Sequence, residues 1–242
     1  MKTFKHSGDM GDIIMSLPAI KELGGGILYL DPQGGEAEPL VQWGTYTHTK
    51  LNEGSINFLS SLLTQQDYID EVRLWDSSKK VDHNLDEFRL CNKYNNLTKS
   101  HLDAVGKIDC FDKWITDPWL SVNSKELPEG KDVILARSCR YHSNYTFWET
   151  LPDDIIDRSA FMSTPEEFEY FLYTYPRYKG RIAHLETSNV LDLAGYIQGC
   201  STFVCNQGFP LTVAEALKKN VVLEVYRLAP AAIFERDGIQ YV

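Results

Sequence analysis

The chain is missing the marks of several large protein classes. No window approaches the roughly 18 uninterrupted apolar residues of a transmembrane helix, so no membrane insertion is expected. No apolar stretch follows Met1-Lys-Thr-Phe-Lys-His-Ser7, so no secretory signal is read there. The five cysteines, Cys91, Cys110, Cys139, Cys200 and Cys205, are odd in number, irregularly spaced and free of any C-x-x-C. Reduced thiols in a cytoplasm are the expectation. Cys200 and Cys205 have no His beside them to share a zinc ion. Positive charge is also scarce. Lys plus Arg is 24 and Asp plus Glu is 34, so 24 − 34 gives a net charge of −10. That excludes a protein coated over its whole surface with nucleic acid or anionic lipid, though not a local basic groove. There is no internal repeat and no low-complexity tract, and 43% hydrophobic residues exclude a disordered chain. The sequons Asn96-Leu-Thr98 and Asn144-Tyr-Thr146 read as chance.

What is present is alternation of strand and helix at both ends. Thr3–His6 reads as a strand, Ser7-Gly-Asp-Met-Gly11 as a tight turn, and Asp12–Leu23 as a helix with Ile13, Leu17 and Ile20 on one stripe and Ile14 beside them. Gly24-Gly25-Gly26 ends it, and Ile27–Leu30 is the next strand, which completes a parallel βαβ unit. In the less regular middle, 56–63 reads as helix, 71–75 as strand and 81–89 as the opening of a helical stretch, with aromatics over 114–122. The polar run 123–131 reads as a linker. Beyond it the pattern restarts: strands at 132–136, 202–205 and 221–226, and helices at 165–173, 189–198 and 209–218. The expected fold is α/β, with two Rossmann-like domains, residues 1–126 and 127–242, facing across a cleft. One continuous sheet is the alternative.

Three places could carry chemistry. Gly8, Asp9, Met10, Gly11 and Asp12 lie after the first strand, where a parallel sheet faces its ligand. The segment is neither G-x-G-x-x-G nor a P-loop. Asp12 suits a helix N-cap or a general base at the crevice mouth, and Asp9 suits a turn. Asn206-Gln207-Gly208-Phe209-Pro210-Leu211-Thr212 follows a strand and opens a helix, whose free N–H groups and dipole favour a diphosphate. Glu215, two turns along, suits ribose hydroxyls or solvent. Arg137-Ser-Cys-Arg140-Tyr141-His142 ends another strand, and its two arginines suit a phosphate or surface ion pairs.

Met10-Gly-Asp12-Ile-Ile-Met-Ser-Leu-Pro18-Ala-Ile resembles the N-terminal Gly-Asp-x5-Pro-Ala segment of the lipopolysaccharide heptosyltransferases. Leu191–Ile197, Phe203–Gly208 and Ala214-Glu-Ala-Leu217 resemble their C-terminal nucleotide-binding segment, and compact heptosyltransferase-like proteins, some of phage type, are similar to both. The likeness runs through both halves in patches and touches little of 35–120. It implies a two-Rossmann-domain (GT-B) glycosyltransferase that binds a nucleotide diphosphate-sugar on the C-terminal domain and the acceptor on the N-terminal one, inverting and without a metal or other cofactor. Under it, Asp12 matches the family's proposed base, Asn206 to Thr212 match the donor diphosphate turn, and Gly8–Gly11 form the acceptor-side loop. Gln207-Gly208-Phe209 stands where that family has Asp-Ser/Thr-Gly, and Thr212 where it has His. The spacing from Gln207 to Glu215 also resembles the Glu-x7-Glu segment of a retaining family. No Asp-x-Asp adjoins a candidate donor strand. The expected activity is sugar transfer to an acceptor hydroxyl, on a glycan or a modified DNA base, with Arg137, Arg140 and the amides near Gln207 and Gly208 receiving the diphosphate. The alternatives are a phage enzyme glycosylating hydroxymethylated DNA bases, a non-catalytic nucleotide-sugar-binding protein and, ranked last for want of a dinucleotide fingerprint, an oxidoreductase.

Overall fold

In the computed structural model, which describes residues 1–32, 51–91, 94–138, 140–143, 145–229, 231 and 233–242, the chain divides into Met1–Ser121 and Val122–Val242. Cys139 and Asn144, with its sequon, lie outside the described residues.

The first unit begins with β1 (Lys2–His6), α1 (Met10–Glu22) and β2 (Gly26–Leu30), and continues through α2 (Glu53–Leu63), β3 (Ile69–Leu74) and β4 (His83–Asn84). The described strands are all parallel, in the order β3-β2-β1-β4. Ile13, Ile14, Leu17 and Ile20 are fully buried, so the apolar stripe of α1 is its sheet-facing side. Gly25 has φ +77°, and a Cβ there would lie 2.3 Å from the Tyr68 carbonyl oxygen, so the turn into β2 admits only glycine. Pro18 sits inside α1 and gives the Ile14 carbonyl no N–H; the Trp119 indole N–H donates to that carbonyl instead, at 3.0 Å. The helical stretch expected at 81–89 is instead β4 followed by a 3₁₀ turn, Leu85–Leu90, opened by the Asn84 side chain accepting from the Asp86 N–H at 3.3 Å. Then come α3 (Leu97–Ala104) and α4 (Phe111–Thr116), which carries the buried Trp114 edge-on to Trp119.

The second unit runs β5 (Val133–Ala136), α5 (Tyr145–Thr150), α6 (Asp153–Asp157), β6 (Ser159–Met162), α7 (Pro165–Thr174), β7 (Ala183–Leu185), α8 (Val190–Gly199), β8 (Thr202–Asn206), α9 (Phe209–Ala216), β9 (Val221–Glu224) and β10 (Ile239–Tyr241). Its described strands are parallel, in the order β10-β9-β8-β5-β6-β7. Numbered within the unit, that is the doubly wound 3-2-1-4-5-6 order. Trp148, Phe161, Phe171 and Tyr178 fill one side of this sheet. The segment read as a linker does not hang free. The Lys125 N–H donates to the Gly195 carbonyl at 2.8 Å, the Lys125 ammonium reaches Asp192 at 2.7 Å, and a Cβ on Gly199 would strike the Lys125 carbonyl at 2.1 Å. It is held against α8 through Lys125, and it belongs to the second unit.

Candidate functional site

A doubly wound sheet places its ligand at the carboxyl ends of the two strands where the winding reverses. In the second unit these are β5 and β8. Asn206 ends β8, and its side chain is buried. Its Oδ1 accepts from the Ser138 N–H at 2.9 Å, and its Nδ2 donates to the carbonyls of Ser138, at 3.1 Å, and Arg140. Gln207 does the same on the other side, where its Oε1 accepts from the Tyr226 N–H at 2.5 Å and its Nε2 donates to the Ala229 carbonyl. An amide side chain both donates and accepts in one plane, so this pair staples the loops after β5 and β9 to the turn after β8. Gly208 caps α9 with extended backbone, and a Cβ there would sit 3.3 Å from the Ser138 hydroxyl. Phe209 and Pro210 form the first turn, and the Thr212 hydroxyl donates back to the Phe209 carbonyl at 2.7 Å. With these side chains turned inward, the turn offers its backbone N–H groups and the positive end of the helix dipole.

Two sequence readings change here. Arg137, expected on a phosphate, is 6% exposed, and its guanidinium grips the Glu224 carboxylate through Nε at 2.8 Å and Nη2 at 3.0 Å. Glu224 also accepts from the Trp148 indole at 2.7 Å and the Ser143 N–H at 2.8 Å. Arg137 therefore fixes the ends of β5 and β9 from below. Glu215, expected on ribose, is 1% exposed and is paired with Arg236 at 3.0 and 3.1 Å. Burial pushes its carboxyl pKa up, with Arg236 working against the rise. Arg140 stays nearer the surface. It donates to the Tyr141 hydroxyl at 2.7 Å and lies over that ring, which contacts Tyr226 at 5.6 Å between centroids. Tyr141 has φ 57°, a left-handed conformation that an aromatic residue adopts at a cost. His142 Nε2 donates to the Ser138 carbonyl at 2.6 Å.

In the first unit the winding reverses between β1 and β4. The helix there starts earlier than expected, at Met10. Asp9 is the extended N-cap, and Asp12 is the third helical residue, its carboxylate accepting from the Asp9 N–H at 3.2 Å. Asp12 is thus not the N-cap. Gly8 is wedged tightly, since a Cβ would lie 2.6 Å from both the Asp12 carboxylate and the His6 ring. Across the reversal, Asp86 accepts from the Ser7 N–H at 2.8 Å and from Lys5 at 3.1 Å. Arg89 reaches Asp86 at 3.0 Å and approaches Asp12 at 3.9 Å. Burial would raise the Asp86 carboxyl, but the hydrogen bonds from Ser7, the His6 ring in its acid form and Lys5 bring its pKa down to about 2. Sequence reasoning missed His6, Asp86, Arg89 and His101, because nothing local in the chain joins residues that far apart. Among the described residues no three His, Cys, Asp or Glu side chains are grouped to hold a metal ion. Nor is any described helix long and apolar enough to cross a membrane.

No family model matches this chain, and no curated protein sequence matches it. Solved structures do. A glycosyl transferase family 9 protein from Veillonella parvula superposes with a TM-score of 0.66 at 10% identity, over 99% of this chain and 84% of its own. The E. coli ADP-heptose lipopolysaccharide heptosyltransferase II follows at 0.56 and 11% identity, over 100% and 90%. An E. coli heptosyltransferase solved with ADP-2-deoxy-2-fluoro heptose gives 0.52 at 11% identity, over 99% and 92%. The fold is therefore that of the GT-B glycosyltransferases, as the resemblance implied.

Proposed function

We propose that this chain transfers a sugar from a nucleotide diphosphate-sugar to an acceptor hydroxyl. The observation that carries the reading is the turn at Asn206–Gly208. It lies at the β5/β8 reversal, is stapled on both sides and opens α9 with backbone N–H groups where a diphosphate would sit. The fold shared with sugar-nucleotide enzymes supports it.

In this reading the second unit holds the donor. Its diphosphate meets the amides that follow Gly208 and the Arg140 guanidinium, with Ser138 alongside. Arg137 and Glu215 hold the scaffold and do not touch the donor. Asp12 accepts the proton of the acceptor hydroxyl as that oxygen bonds to the anomeric carbon. The bond from that carbon to the diphosphate oxygen breaks, and its electron pair leaves with the nucleoside diphosphate. Direct displacement inverts the anomeric centre. The helix N-terminus and Arg140 stabilise the departing charge without a metal ion. The acceptor is a glycan in the cytoplasm, and a hydroxymethylated DNA base is the competing acceptor.

A thermal-shift screen of ADP-, GDP-, UDP- and dTDP-linked sugars tests the donor half. One of them raises the melting temperature in this reading, and stabilisation by none sinks it. For the base, Asp12→Asn keeps that stabilisation and loses about a hundredfold or more in turnover. Turnover near that of the unaltered chain removes Asp12 from the role.

A further inference from the structure

Behind the Ser7–Asp12 loop lies a buried pair of rings that the proposed reaction does not use. His6 and His101 are both fully buried, and their Nε2 atoms are 3.0 Å apart. The outer contacts fix the protons. His101 Nδ1 lies 2.7 Å from the Leu97 carbonyl, which only accepts, so Nδ1 carries the proton and Nε2 is bare. His6 Nε2 must then donate to His101. Its Nδ1 is left bare, and the Gly8 N–H donates to it at 2.8 Å. The result is one directional chain, Gly8 to His6 to His101 to Leu97, in which each ring is neutral and each has one tautomer.

Resting on the reading of Asp12 as base, we infer that His6 is a positioning residue for the Asp12 carboxylate. Neutral His6, held in one tautomer by His101, fixes Gly8, and Gly8 lies between the His6 ring and Asp12. The spacing leaves no slack, since a single methyl on Gly8 would meet both neighbours at 2.6 Å. The surroundings also supply what happens when the ring gains a proton. Asp86 Oδ1, from the 3₁₀ turn after β4, stands 3.5 Å from His6 Nδ1. Lys5 from β1 and Arg89 from the same 3₁₀ turn oppose a positive charge there, Phe88 and His101 flank the ring, and burial disfavours the charge. A proton on Nδ1 turns the Gly8 contact into donor against donor and redirects His6 to Asp86. Gly8 is then released, and with it the backbone that places Asp12.

Two measurements decide this. The first is nitrogen-15 NMR of the imidazoles in the whole chain at neutral pH. The expected result is a neutral His6 with its proton on Nε2 and a neutral His101 with its proton on Nδ1; a proton on His6 Nδ1 overturns the inference. The second is release of nucleoside diphosphate from whichever of ADP-, GDP- or UDP-glucose the unaltered protein turns over fastest. His6→Leu, which removes the acceptor for the Gly8 N–H, lowers kcat about tenfold to a hundredfold and leaves the donor KM within about twofold. His6→Asn, whose side-chain oxygen stands where Nδ1 stood, recovers most of that loss. Equal kcat loss in both variants, or none in either, overturns the inference. If His6→Leu does not fold, the ring NMR and the His6→Asn rate, lowered less than about tenfold, still decide. No release by the unaltered protein overturns the proposed function itself, and this inference with it.

Discussion

At the scale of single residues, the two units hide their charges differently. In the second unit Arg137 and Glu224 form a buried pair held by hydrogen bonds on both sides. Such a pair is costly to break from one side, because the remaining charge has neither water nor partner. Arg137→Met is expected to cost about 3–5 kcal/mol in urea unfolding, whereas Arg140→Met, nearer the surface, is expected to leave stability nearly unchanged and weaken nucleotide-sugar binding. Equal stability loss in the two would show that both arginines are structural. In the first unit the hidden groups are neutral. Burial holds the His6 ring down at a pKa of about 4, with Asp86 working the other way. An unfolded chain takes up this proton near pH 6.5 and the folded one does not, so stability falls as pH drops through that window. For His6 the loss is about 3 kcal/mol between pH 6.5 and pH 4. Melting curves over that range test it, since His6→Asn must give a shallower slope. The Asp86 contribution belongs to a lower window, from its ordinary value down to about 2. None of these pairings was visible in the sequence. The chain shows Arg137 at the end of a strand and Glu215 two turns into a helix, but Glu224, Arg236 and His101 become their partners, or that of His6, only through the fold. Hence the sequence marked Arg137 and Glu215 as ligand contacts, and the structure returns them to the interior.

At the scale of elements, the legible parts were those with a local cause. The stripe of Ile13, Leu17 and Ile20 and the glycines at 24–26 each say what they do within a few residues. The short strands β6, β7 and β10 did not: β7 and β10 have three residues each, and Ser159-Ala-Phe-Met162 lacks the β-branched run that marks β5 and β9. The turn at Asn206–Gly208 was legible as a helix start, but its side-chain amides turned out to fasten neighbouring loops and not to face a ligand. Two predictions belong here. Gly208→Val is expected to keep the fold and weaken stabilisation by the nucleotide sugar, since the added carbon atoms crowd Ser138 at the mouth of α9; unchanged stabilisation would move the diphosphate elsewhere. In α1, Trp119→Phe leaves the Ile14 carbonyl buried without a donor and is expected to cost about 1–3 kcal/mol. Pro18→Ala supplies the missing N–H from within the helix. The two changes together should therefore cost less than their sum, and strict additivity in the double-mutant cycle would show that the indole bond carries no weight.

At the scale of the whole molecule, a net charge of −10 meets a proposed ligand that is itself an anion. Repulsion at long range is screened as the Debye length falls from about 30 Å at 0.01 M salt to about 8 Å at 0.15 M. Association of a nucleotide sugar should therefore quicken as salt rises over that range, read by stopped-flow fluorescence. A DNA acceptor would give the opposite trend, with binding that weakens steeply as salt rises. The α/β class and the existence of two halves were readable from the alternation at each end. Strand order was not, because it is set by which apolar faces meet and not by any one segment. That order has a consequence in time. In each unit the strand made first, β1 or β5, ends in the middle of its sheet. One flank of β5 is closed by β6 soon after it in the chain, while the other waits for Val133 to meet Thr202, with α5 through α8 lying between them. Loop closure over that span is slow, and until it happens the newborn β5 keeps a bare edge of unpaired N–H and C=O groups. The strand end that bears the proposed donor site is thus also an aggregation risk during synthesis, as is β1, whose Phe4 waits for His83.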